Sequence, residues 1–132
     1  MTMVIDSSVV VAALVDSGPQ GHWAEGILAM GELCAPELFR AEATHIFRRL
    51  ERAQIIATPE ANAAQDDLMR LQVELFPFEP FAERIWQLRH NVTAYDAWYV
   101  AIAEALSIPL ATLDEALSKS SGATCKFLTP SA

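Results

Sequence analysis

Met3-Val4-Ile5-Asp6-Ser7-Ser8, running into the apolar stretch Val9 to Val15, is the segment on which the fold turns. Met3 to Asp6 reads as a brief buried strand ending in an acid. Val9 to Val15 reads as an apolar helix, broken by Gly18-Pro19. A strand feeding a helix opens a strand–helix–strand unit, and the rest of the chain continues the alternation.

Gln20 to Met30 is predicted to be a second helix, ended by Gly31, and Leu33 to Ala35 a short strand closed by Pro36. Glu37 to Arg52 is the clearest amphipathic helix. Phe39, Ala43, Ile46, Phe47 and Leu50 recur at spacings of three and four, and polar residues fill the other face. Thr58-Pro59-Glu60 opens a helix reaching about Leu71, with Thr58 at the cap and Pro59 in the first turn. Val73 to Phe78 reads as a strand, and a helix starts at Pro80 and reaches about His90. Thr93 begins a helix that is apolar almost all round and so expected to be central. Ile108 to Leu113 is a strand, Glu115 to about Lys119 a short helix, and Lys126 to Leu128 a last strand. Strands separated by helices imply a parallel sheet covered on both faces, an α/β fold. No repeat, linker or low-complexity segment divides the chain, so residues 1–132 are expected to form one domain.

At 132 residues and 52% hydrophobic content the chain has apolar material for a core, and disorder is excluded. No apolar run approaches the roughly 18 residues of a membrane span. Val9 to Val15 has no basic segment before it, unlike a signal peptide, so no membrane association and a cytoplasmic location are expected. Cys34 and Cys125 lie in apolar stretches, match no zinc spacing and read as reduced, buried thiols. The formal net charge of −8 runs against nucleic-acid binding, which ordinarily uses a basic surface.

Four acids carry the chemistry. Asp6 and Asp114 each follow a predicted strand and precede a helix, where aspartate serves equally well as an N-cap. Thr93 and Asp96 have the spacing of a capping box. Glu42 falls within the apolar stripe of its helix, where no cap explains it; the plain alternative is an internal ion pair with an arginine. In parallel sheets ligands bind beyond the carboxyl ends of the strands, which is where Asp6 and Asp114 are expected. Four carboxylates converging there need counter-charge, and oxygen-only ligands select magnesium or manganese. Phosphodiester hydrolysis is the natural reaction of such a site.

Residues 3–9 (MVIDSSV), 36–50 (PELFRAEATHIFRRL), 93–104 (TAYDAWYVAIAE) and 110–117 (LATLDEAL) together resemble PIN-domain ribonucleases, most closely the VapC-type toxins of toxin–antitoxin pairs. The resemblance spans nearly the whole chain in order. It implies a three-layer α/β/α sandwich with a mainly parallel central sheet, and an Mg2+- or Mn2+-dependent endoribonuclease. It carries metal binding and catalysis onto Asp6, Glu42, Asp96 and Asp114, and a supporting role onto Ser8 and Thr112. It also implies an RNA substrate, a homodimer and a small antitoxin that blocks the site. Family members often place basic residues after the last aspartate, where this chain has Glu115 and Ala116.

Arg40, Arg48, Arg49 and Arg52 are expected to share the outer face of the helix carrying Glu42, either as an RNA-backbone contact or as a solvated face. Trp23, Trp86 and Trp98 are expected in the core or a subunit interface, and His22, His45 and His90 have no partner pattern. An aspartyl-phosphate enzyme fits poorly: Asp6-Ser7-Ser8 lacks the D-x-D pair of haloacid-dehalogenase-like enzymes, and for the lysine that a receiver domain places after a late strand the chain has only Lys119 and Lys126, the latter preceding the final strand. The remaining alternative is a catalytically inactive PIN-like protein-binding module whose acids are only caps.

Overall fold

A computed structural model of the chain describes residues 1–130. Its elements are β1 (Thr2–Ile5), α1 (Ser7–Val15), α2 (Pro19–Leu28), β2 (Glu32–Pro36), α3 (Phe39–Arg52), α4 (Thr58–Arg70), β3 (Glu74–Phe76), α5 (Ala82–Gln87), α6 (Ala94–Leu106), β4 (Leu110–Ala111), α7 (Glu115–Ser118) and β5 (Phe127–Leu128). The strands form one sheet in the order β3-β2-β1-β4-β5, parallel throughout. The apolar opening segment is its centre: Val4 pairs with Cys34 on one side and Leu110 on the other, and Met3, Val4 and Ile5 are fully buried.

The strand order positions the site. From β1 the chain moves outward through β2 to β3, then returns across the sheet to β4 and on to β5. Right-handed crossovers therefore lay α1 to α4 on one face and α5 to α7 on the other, giving the α/β/α sandwich. The connections leaving β1 and β4 diverge, which opens a crevice at their carboxyl ends. The side chains following those ends are Asp6 and Thr112. The helix begun by Thr93 is central as its composition required: Ala97 and Tyr99 to Ala103 are buried, and α6 packs on β1, β2 and β4.

Local boundaries depart from expectation where backbone donors are missing. Strand β3 is confined to Glu74–Phe76, because Pro77 has no N–H to extend the ladder. The helix expected from Pro80 to about His90 is a 3-10 turn over Glu79–Phe81 followed by the short α5. Helix α1 starts at Ser7, two residues before the apolar run. Thr58 is not the cap of α4. That position is Ala57, whose backbone N–H donates to Glu60 Oε1 at 3.1 Å, and alanine has no side chain to return the bond.

Candidate active site

Asp6 occupies the cap position of α1 but its side chain makes no capping bond. Its carboxylate instead accepts hydroxyl protons. Thr112 Oγ1 donates to Oδ2 at 2.7 Å, Ser8 Oγ donates to the same oxygen at 3.1 Å, and Ser7 Oγ donates to Oδ1 at 3.4 Å. Each of the two hydroxyls on Oδ2 also accepts a backbone proton, Thr112 from Asp114 N at 3.0 Å and Ser8 from Leu113 N at 3.2 Å. Ser8 and Thr112 thus stitch the β1–α1 turn to the β4–α7 turn, with Asp6 as the knot. Asp6 N donating to Ala111 O at 3.0 Å continues the ladder beneath them.

Glu42 sits half-buried in the first turn of α3. Its partner is the hydroxyl of Tyr99 on α6, which donates to Oε1 at 2.7 Å, so the internal ion pair with an arginine does not form. Burial pushes the Glu42 carboxyl above its ordinary range, the Tyr99 hydrogen bond pulls it down, and the charge of Asp6 pushes it up. Tyr99 is itself 1% exposed, and burial beside Glu42 holds its hydroxyl protonated well above the usual range.

Asp96 lies in the first turn of α6, half-buried, with its backbone N–H donating to Thr93 Oγ1 at 3.2 Å. Burial pushes its carboxyl up to about 6, and the charges of Asp6, Asp114 and Glu42 push the same way, against the lowering effect of Thr93. Asp114 is exposed and is an N-cap in fact, accepting from Leu117 N at 3.1 Å through Oδ1. The capping explanation therefore holds for the side chain of Asp114 and fails for that of Asp6.

One field joins the four carboxylates, since Asp96 senses the other three and Glu42 senses Asp6. None of them is paired with a cation: the ion pairs among the described residues are Arg70–Asp67, Arg84–Glu104 and Lys119–Glu115. Equally, no group of three or more His, Cys, Asp or Glu among the described residues is closed tightly enough to hold a metal ion by itself. Charge converges without a protein cage. A cleft of about 450 Å³ opens at Asp96 and Asp114 and is also lined by Arg89, His90 and Asn91.

Other expectations are redistributed. Arg40 leaves the outer face of α3: its Nε donates to Leu68 O at 3.4 Å and its Nη2 to Leu71 O at 2.7 Å, at the end of α4. Arg48, Arg49 and Arg52 are exposed, and none joins an ion pair among the described residues. Trp23 and Trp98 pack against the core, whereas Trp86 is 66% exposed. Cys34 is a buried free thiol; Cys125 is free and only partly buried. Tyr99 is the site residue that sequence reasoning missed. Its signal was a phenol in a helix buried all round, where a hydroxyl needs a partner.

The sequence profile described as the PIN domain matches residues 3–122. The chain belongs to the PIN-domain family. Within it, the chain is of the VapC type, being 41% identical over 125 residues to Ribonuclease VapC1 of Mycobacterium tuberculosis, covering 94% of each chain. This PIN domain also shares its fold with FitAcB from Neisseria gonorrhoeae, at a TM-score of 0.68, 19% identity and 95% coverage of each chain. A further fold neighbour is VapBC-5 from Mycobacterium tuberculosis, a member of the VapBC family of toxin–antitoxin systems. It matches with a TM-score of 0.57 and 20% identity, covering 97% of this chain and 96% of that one.

Proposed function

We propose that this protein is a magnesium- or manganese-dependent endoribonuclease, the toxin of a toxin–antitoxin pair, using Asp6, Glu42, Asp96 and Asp114 as its metal-binding and catalytic carboxylates. The observation that carries the reading is the convergence of four carboxylates from β1, α3, α6 and the β4–α7 turn, of which Asp6 is buried and Glu42 and Asp96 half-buried, with none of them in an ion pair among the described residues. Burial and the other three acids push the Asp96 carboxyl up to about 6. An arrangement that raises its own members' proton affinity is costly for a fold and useful to a divalent ion. The donor set is oxygen only, which suits a hard cation. An incompletely closed set also suits magnesium, which keeps waters and takes phosphate oxygens among its ligands.

Magnesium or manganese, when bound, would supply positive charge against the scissile phosphate and make water a better nucleophile. The chain's own contribution is orientation. Thr112 and Ser8 leave Asp6 Oδ1 turned away from the hydroxyl pair on Oδ2, and both hydroxyls are themselves fixed by backbone N–H groups. Tyr99 fixes one oxygen of Glu42 and leaves the other free to ligate. Asp96 and Asp114 line the cleft that would receive the RNA phosphate.

The relatives support the substrate and the partner: VapC1 is named a ribonuclease, and VapBC-5 belongs to a toxin–antitoxin family. An antitoxin partner, a homodimer and a cytoplasmic location belong to this proposal; no helix among the described residues is long and apolar enough to cross a membrane. One observation favours the inactive-module alternative, the engagement of Asp114 Oδ1 as a cap.

Calorimetric titration of the antitoxin-free protein with manganese separates the two, with Asp6→Asn and Asp96→Asn as comparisons. Saturable binding lost in both variants, together with manganese-dependent cleavage of RNA, is the expected result. Wild-type protein that takes up no manganese at millimolar concentration and leaves RNA intact would overturn the proposal.

A further inference from the structure

Trp86 on α5 presents 66% of its surface to solvent, an unusual position for an indole, which is ordinarily highly buried. It does not stand alone. The guanidinium of Arg89 lies 4.2 Å from the centre of its ring, and Arg89 Nη1 donates to Trp86 O at 2.9 Å. Arg89 has no carboxylate partner among the described residues, although the chain carries a net charge of −8. The pair is therefore a preformed, exposed cation and aromatic unit in which Arg89 is held against Trp86 and carries no carboxylate partner among the described residues.

Its location gives it a direction. Arg89 lines the cleft of about 450 Å³ that holds Asp96 and Asp114, and also an adjoining hollow of about 350 Å³ formed with Trp86, Phe78 and Ile85. Val92 and Thr93 border both, so one surface leads from the acids past Arg89 to the indole.

We infer that Trp86 and Arg89 form a stacking arm for single-stranded RNA, holding a nucleobase that flanks the phosphate placed at the four acids. The inference rests on the ribonuclease reading above. Arg89 meets the phosphate backbone with charge, and the indole meets a base with its π-face, which accepts any base and so adds affinity without sequence choice. The same arm explains how a chain of this net charge engages a polyanion: the contact is one local cation beside the reactive centre rather than a basic surface.

The test is the affinity of metal-free protein, held in chelator so that nothing is cleaved, for a fluorescein-labelled ten-nucleotide single-stranded RNA. Trp86→Ala is expected to weaken binding about 5-fold or more and Trp86→Phe to retain most of it, since phenyl also stacks. Arg89→Gln is expected to reduce the salt dependence of binding, which Trp86→Ala leaves alone. Unchanged affinity in Trp86→Ala, or no binding by the wild type, overturns the arm. So does a Trp86→Ala protein whose sedimentation changes while its RNA affinity does not, which would assign the indole to a subunit contact. Manganese-supported cleavage by Trp86→Ala, assayed in parallel, separates the two claims. Full activity with unchanged affinity sinks the arm and leaves the ribonuclease standing, whereas wild-type protein without manganese uptake or cleavage sinks the ribonuclease whatever Trp86 does.

Discussion

Thr112 and Asp6, 106 positions apart in the chain, are joined by a 2.7 Å hydrogen bond in which the threonine hydroxyl donates and the carboxylate accepts. The bond ties the carboxyl ends of the two strands flanking the switch point, and Thr112 is fully buried. Because the same hydroxyl accepts from Asp114 N, it orients one acid and the backbone of another at once.

Thr112→Val keeps the shape and removes both bonds. The backbone N–H of Asp114 and the buried carboxylate of Asp6 each lose a partner, which costs about 1–3 kcal/mol. In a domain of this size that lowers Tm by roughly 4–11 °C. Thr112→Ser is expected to restore both the Tm and RNA cleavage. Thermal melts of the three proteins check it; a valine variant melting with the wild type would show that the bridge adds nothing.

Tyr99→Phe probes the link between the two helical layers. Glu42 then loses the hydrogen bond that lowers its proton affinity, while burial and the charge of Asp6 continue to raise it. In the proposed site it is the carboxylate form of Glu42 that ligates manganese, so the rising limb of uptake against pH is expected to move to higher pH than in the wild type. Calorimetric titrations at a series of pH values give the answer, and superimposable profiles would remove Tyr99 from the site.

Asp96→Asn tests electrostatic conflict directly. The folded protein holds the Asp96 proton up to about 6, against an ordinary 3.8, so between those values it binds more protons than the unfolded chain. Stability from this group is therefore present below about pH 4 and is lost as pH rises through 6. Without metal, the asparagine variant is expected to melt above the wild type at pH 7.5, with the gap closing near pH 4. Its capping bond survives, because that bond uses the backbone N–H. Manganese should then raise the wild-type Tm more than the variant's. A variant that melts below the wild type at pH 7.5 would mark Asp96 as a structural residue.

The parts legible in the sequence were those that local periodicity controls. The alternation of short apolar runs with helices set the parallel sheet, and Glu42 inside an apolar stripe showed a carboxylate facing inward. Ser8 and Thr112 were placed through family resemblance, and the structure supplies their physical role as hydroxyls shared between Asp6 and two backbone donors. What stayed hidden was what tertiary packing sets opposite each face. Nothing near Glu42 in sequence announces Tyr99, 57 positions away. Trp86 has the composition of a core residue, yet Ile85 takes the buried position of α5 and the next residue is carried about 100° round the helix. Asp6 and Asp114 occupy equivalent strand-to-helix positions, and only the hydroxyls around Asp6 divert its carboxylate from the cap that Asp114 makes.

The arginines of α3 give the last contrast. Arg40 is expected beside Arg48, Arg49 and Arg52, but the turn of α3 carries it to the side opposite Arg49, where it hydrogen-bonds the terminal carbonyls of α4 at Leu68 and Leu71 and clamps the two helices together. Arg40→Ala is expected to cost about 1–2 kcal/mol of stability, a charge-assisted bond being lost. The salt dependence of RNA binding should not move. The triple replacement of Arg48, Arg49 and Arg52 by glutamine should do the reverse. These side chains are exposed and form no ion pair among the described residues, so Tm is expected to stay put. If they contact RNA phosphates, the slope of log affinity against log salt falls by about 0.7 for each arginine that does. An unchanged slope assigns them to a solvated face, and leaves Arg89 as the cation that meets the strand.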